Sequence, residues 1–190
     1  MMPAAFKTIA FGLLLVILNF HINGIDILPD WIGYLLIIRG SYVLREQTGI
    51  HTFNWIKICS AGMLIVYLLL SFSDLPARPQ IVDLSFGSIL QMLNSILSLI
   101  NLYLICSAIY IYASQNQSLD IANKARQRGY AYLIVNTFTI IVTPILGMFS
   151  VADGSFALLL TAIILVNLII VFLIVILLFQ VSKLPMQTAE

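Results

Sequence analysis

Six stretches of the chain are almost wholly apolar, and short polar segments separate them. They cover Thr8–Phe20, Trp31–Leu44, Ile56–Phe72, Leu84–Ala113, Tyr130–Phe149 and Phe156–Val181. A helix needs about 20 apolar residues to cross a bilayer. The last three stretches reach that length unaided, and the fourth and sixth exceed it enough to tilt or project. The first two are short and cross only if flanking polar residues continue the helix or sit at headgroup depth. The pattern therefore predicts an all-α fold: a single integral-membrane helix bundle over residues 1–190 with about six transmembrane helices.

Composition sharpens this picture. Hydrophobic residues make up 61% of the chain and charged residues 9%, with a mean hydropathy of +1.06. Six spans and their turns use up the chain, so no soluble domain fits beside them. The net charge of +1 and the lack of a basic patch argue against a nucleic-acid partner. Cys59 and Cys106 both lie in apolar runs with no metal-type spacing, which makes them packing thiols. Asn19, His21 and Asn23 stand where a leader would carry its small-residue cleavage site, so the first stretch reads as a retained helix.

The few charges orient the spans. Lys7 precedes the first run, Arg45, His51 and Lys57 follow the second, Lys124, Arg126 and Arg128 precede the fifth, and Lys183 follows the sixth. The alternate connections carry Asp26 and Asp30, then Asp74, Arg78 and Asp83, then Asp153. Basic residues gather at every second connection, which puts both termini in the cytoplasm. Trp31 is expected at the outer interface, and Trp55, Tyr110, Tyr112, Tyr130 and Tyr132 at the inner one. Pro76 and Pro79 keep the second outer connection from becoming helix, and Pro185 ends the last helix.

Polar side chains inside apolar runs are the candidate chemistry, because they are costly in hydrocarbon. Gly87, Gln91, Asn94, Ser98 and Asn101 recur at helical spacing and share one face of the fourth run. Asn136, Thr139, Thr143 and Gly147 do the same in the fifth, where Pro144 is expected to kink the helix; Asn167 is the deep polar residue of the sixth. These groups either hydrogen-bond between helices or line a cavity for a small solute. Arg39 is the charge set well inside a run, six residues before Arg45 or about 9 Å at helical rise. It either snorkels to the interface or points inward. The inward reading places Arg39 in a layer with Asn136 and with Asn101 or Ser98, fit for an anionic headgroup or solute. The candidate ligand-binding set is thus Arg39, Gln91, Asn94, Ser98, Asn101 and Asn136.

A second polar cluster, His21, Asn23, Asp26 and Asp30, falls in the first outer connection. Two carboxylates and an imidazole are a possible cation set, but their spacing matches no metal motif, and no metal or cofactor is assigned. Alternatively Asn23-Gly24 makes a turn and Asp26 or Asp30 caps the next helix. Catalytic signatures are lacking: there is no His-Glu-x-x-His, no Gly-x-Ser-x-Gly and no glycine-rich phosphate loop.

The stretch Asn23-Gly24-Ile25-Asp26-Ile27-Leu28-Pro29-Asp30-Trp31-Ile32-Gly33-Tyr34 resembles one near the start of small, functionally uncharacterised multi-pass membrane proteins of Gram-positive bacteria. That resemblance implies a bacterial plasma-membrane location and no activity. Size and span count are also similar to the substrate-binding subunits of energy-coupling-factor vitamin transporters. Their first helix carries an Ala-xxx-Ala coupling motif, which Ala4, Ala5 and Ala10 do not form. Three functions are compatible with the chain: a non-enzymatic accessory subunit, a small-solute carrier or solute-binding subunit, and an outward-facing sensor or immunity protein. The expected partners are membrane lipids, with a membrane-protein partner or a second copy as the further options.

Overall fold

The computed structural model describes residues 2–18, 21–22, 25–26, 30–73, 86–148 and 154–184. The Asn23-Gly24 turn, the Asp74, Pro76, Arg78, Pro79 and Asp83 connection, Asp153 and Pro185 lie outside the described residues. The fold is helical: α1 (Met2–Leu18), α2 (Asp30–Thr48), α3 (Thr52–Ser73), α4 (Phe86–Gln115), α5 (Leu119–Met148) and α6 (Gly154–Val181). A minimal antiparallel pair, β1 (His21–Ile22) and β2 (Ile25–Asp26), joins α1 to α2, with His21 opposite Asp26 and Ile22 opposite Ile25. This register reverses the chain where the turn was expected.

Among the described residues three helices are long and apolar enough to cross a membrane: α3, α4 and α6, over Thr52–Ser71, Ile89–Gln115 and Thr161–Val181. The third run thus gains its length from polar residues at its start. The far end of the fifth run, from residue 143 on, lies outside the residues over which span length and hydropathy are described. Much of the surface of the bundle is apolar, with Ile65, Met92, Ile134 and Ile164 each about 60% exposed.

The helices form a closed ring. Each packs on its neighbours in sequence, and α6 returns to α1. Neighbours run antiparallel: Gly12 meets Gly33 while Ala5 and Ile9 meet Gly40, and Arg128 and Asn136 of α5 reach Leu173 and Asn167 of α6. Met2 and Val181 therefore fall at the same end. That end holds the core, in which Phe6 of α1 is 1% exposed and touches the rings of Phe53 (6.2 Å) and Tyr112 (5.1 Å). Phe11 meets Phe179 edge-on at 5.7 Å and closes the ring between α1 and α6. Towards the other end the helices are less buried, as Ile89, Met92 and Leu93 of α4 and Ile164, Leu165 and Val166 of α6 show by their exposure.

Glycine brings α1 and α2 into backbone contact. A Cβ at Gly33 would lie 2.7 Å from the Gly12 carbonyl oxygen and 2.6 Å from Val16; one at Gly40 would lie 2.9 Å from the Ala5 carbonyl oxygen. Close approach multiplies dispersion contacts, which drive association where no hydrophobic effect operates. The chain then turns sharply at Gly49, whose φ of 69° lets its N–H reach the Arg45 carbonyl (2.9 Å) and end α2.

The segment Ser114–Gly129, expected as an inner loop, is mostly helix. Only Asn116–Ser118 turn, with Gln117 at φ 55° and the Ser118 N–H bonded to the Ala113 carbonyl (2.9 Å). Ala122 and Ala125 are buried at helical spacing, and Lys124 pairs with Asp120 at 2.6 Å, so the charges conceal a continuous α5. The helix continues through Pro144 to Met148. Of the aromatic residues placed at the inner interface, Trp55 and Tyr130 are exposed, whereas Tyr112 and Tyr132 are buried. Residues two apart on a helix point to nearly opposite sides, so the pairs 110/112 and 130/132 divide between surface and interior.

Gly33→Leu should destabilise the bundle by about 1–3 kcal/mol or more through overpacking against the α1 backbone. Gly62→Ala, where the nearest atom to a new Cβ is Leu97 Cδ1 at 3.6 Å, should be tolerated. Thermal unfolding in detergent checks both, and equal losses would refute the close-contact account.

Candidate functional site

All six helices contribute to a cavity of about 350 Å³, partly open, inside the ring. It sits above the packed core, on the side of Tyr34 and Ile17. Its polar wall comes from α2 (Tyr34), α4 (Asn94, Ser98, Asn101), α5 (Tyr132, Asn136, Thr139) and α6 (Asn167). Leu13, Val16, Ile37, Met63 and Val171 supply the apolar remainder. Among the described residues the lining contains no Asp, Glu, Lys, Arg or His.

Most of these polar groups are satisfied. Asn136 and Asn167 exchange reciprocal amide bonds, Nδ2 of Asn136 donating to Oδ1 of Asn167 at 3.2 Å and the reverse at 2.9 Å. Asn136 also donates to the Tyr132 carbonyl, 3.2 Å away. Asn101 is 2% exposed; its Nδ2 donates to Ser60 Oγ (3.1 Å), which ties α4 to α3. Thr139 Oγ1 donates back to the Val135 carbonyl at 2.8 Å. The Tyr34 hydroxyl interacts with the Asn94 amide, and the Tyr132 hydroxyl with Ser98.

Asn94 is the exception. Its Oδ1 is buried and accepts no hydrogen bond among the described residues. A buried acceptor left without a donor costs about 1–3 kcal/mol. An amide with one satisfied end and one open end, on a cavity wall, is the chemistry of a ligand contact.

The structure brings together Asn94, Ser98, Asn101 and Asn136 of the sequence-derived set, but not Gln91 or Arg39. Gln91 is exposed, because α4 is poorly covered near its start. Arg39 is exposed on α2 and lines a different groove with Ala4, Ala5, Thr8, Leu36, Gly40 and Val43. The expected inward layer of Arg39 with Asn136 is not formed. Tyr34 and Ile37, not Arg39, occupy the inner face of α2, and Gly33 and Gly40 are spent on contact with α1. Tyr34 and Tyr132 are site residues that sequence reasoning missed, since a tyrosine near a run's end also fits the membrane interface. Asn167 carried a signal, as a deep polar residue in a wholly apolar segment.

In the first connection, His21 and Asp26 are opposite one another in the strand pair, Asp30 opens α2, and Asn23 lies outside the described residues. Among the described residues no group of three potential metal ligands comes together. Outside the cavity, Arg128 donates to the Leu173 carbonyl of α6, and partial burial lowers its pKa from the ordinary value, a direction that still leaves a guanidinium charged near neutrality.

Comparison with protein-family models, curated proteins and solved structures yields no match.

The Asn136–Asn167 pair should behave as a coupled unit. Leucine at either position alone strands the partner amide, while leucine at both removes the polar pair. A double-mutant cycle by thermal or denaturant unfolding should give a coupling of about 0.6–1.7 kcal/mol. A coupling of zero would show that the paired amides do not hold α5 to α6.

Proposed function

We propose that this chain is a six-span protein of the bacterial plasma membrane, with both tails in the cytoplasm, that binds a small uncharged polar solute between its helices. It acts as a carrier or as the solute-binding subunit of one, and catalyses no reaction. The carrying observation is the cavity shared by all six helices, with Asn94 in its wall and the Asn94 Oδ1 buried without a donor among the described residues.

The chemistry of the wall selects the ligand class. A charged solute would enter a low-dielectric space with no counter-charge, which is heavily unfavourable. A neutral solute with a hydrogen-bond donor satisfies Asn94 Oδ1, and its apolar portion fits against Leu13, Ile37 and Met63. A volume of about 350 Å³ lies at the small end of ligand pockets. The alternation of basic and acidic connections supports the orientation, and the apolar outer surface supports lipid as the surrounding medium. An accessory subunit working through its outer faces is the competing reading; lipid covers those faces equally well, whereas a partly open cavity with polar groups in its wall has no use in it.

Neutral amides, polyols and nucleosides, screened in nanodiscs, should include members that raise the unfolding temperature, and their charged analogues should not. At a hundredfold excess over Kd the gain is about 2.7 kcal/mol. Asn94→Leu removes the amide bond to the Tyr34 hydroxyl and should cost about 0.5–1.5 kcal/mol of stability without solute, yet lose the solute-dependent gain altogether. If no neutral solute stabilises the protein and native mass spectrometry finds the cavity empty, the solute-binding reading fails. Separately, cysteine tags at either tail should resist a membrane-impermeant maleimide in intact cells, and a tag within residues 74–85 should react. Labelling of a tail tag would overturn the topology.

A further inference from the structure

The groove beside Arg39 has a chemistry unlike the cavity. It lies on the outside of the α1–α2 pair, encloses about 440 Å³, and is walled by Ala4, Ala5, Thr8, Leu36, Gly40 and Val43. Its floor is low because Gly40 lets α2 press on the α1 backbone. The Thr8 hydroxyl is turned onto the Ala4 carbonyl at 2.8 Å, which leaves the wall apolar. Arg39 stands at its edge, exposed, and takes part in no ion pair or side-chain hydrogen bond among the described residues.

We propose that this groove binds one anionic phospholipid, its phosphate on the Arg39 guanidinium and part of an acyl chain along the Ala4–Thr8 face of α1. The inference rests on the bilayer placement proposed above but not on the cavity. A charged side chain within a spanning helix is costly, and most such residues are paired inside the protein. Arg39 has no partner there. It is six residues from Arg45, so its side chain reaches towards the basic, cytoplasmic end, where anionic headgroups collect. A guanidinium is the group best shaped for a phosphate, which it binds through paired N–H donors. Small residues in the groove admit a flexible chain that larger ones would exclude.

The test is native mass spectrometry of the full chain released from nanodiscs of equal phosphatidylglycerol and phosphatidylcholine with matched acyl chains. The wild type should retain phosphatidylglycerol about fivefold over phosphatidylcholine, the ratio expected for one basic residue near an anionic surface. Arg39→Gln should bring the ratio to parity. Ala4→Phe, at an exposed position away from the core, should fill the groove and lower retention of both lipids with Arg39 intact. Asn94→Leu should leave lipid retention unchanged, which separates this site from the solute cavity. An undiminished preference in Arg39→Gln would overturn the proposal. Displacement of the lipid by free glycerol phosphate would also do so, by showing a soluble anion site instead.

Discussion

A polar group carried on an apolar bundle must find its partner within the protein, because its surroundings supply none. Most of the interior obeys that constraint. Asn136 and Asn167 answer each other across α5 and α6, Asn101 and Ser60 join α4 to α3, and Arg128 spends a donor on a carbonyl of α6. Each bond satisfies a side chain and fixes the rotation of one helix against another. The ring of six helices is thereby held at defined angles despite side chains that are mostly Leu, Ile and Val.

The proposed functional reading uses two places where the constraint is not met among the described residues; the buried Ser41 Oγ of α2 is a third, away from both pockets. Asn94 keeps an unfilled acceptor inside the ring, on a wall without charge. Arg39 keeps an unpaired cation outside it, next to an apolar groove. The first calls for a neutral hydrogen-bond donor, the second for an anion with an apolar tail. The cavity and the groove lie on different faces of α2.

Packing explains why the cavity stands where it does. The end of the bundle holding Met2 and Val181 is filled by Phe6, Phe53, Ile109, Tyr112, Ile174 and Leu178, all nearly inaccessible. The glycine contact between α1 and α2 locks these two helices together along most of their length. Towards the other end α4 and α6 are less covered, and the space between them and α2 is left to polar side chains. The result is a closed floor and a looser upper half.

Hydropathy alone indicated that the chain is helical, the number of its helices and which polar positions share a helix face, because the 3.6-residue period and the sparse charges are local properties of the sequence; it missed the polar first turns of α1 and α5, which begin at Met2 and Leu119. The Asn94, Ser98 and Asn101 stripe and the depth of Asn136 were legible for that reason. Which way each face turned was not. Gln91 continues the same stripe yet lies outside, since coverage at its level depends on neighbouring helices. Arg39 turned outward because Gly33, Tyr34, Ile37 and Gly40 claim the inner and α1-facing sides of α2, and a helix has only so much circumference. The pairing of Asn136 with Asn167, and the entry of Tyr34 and Tyr132 into the wall, depend on contacts between residues distant along the chain. No local period encodes those, and only the closing of the ring decided them.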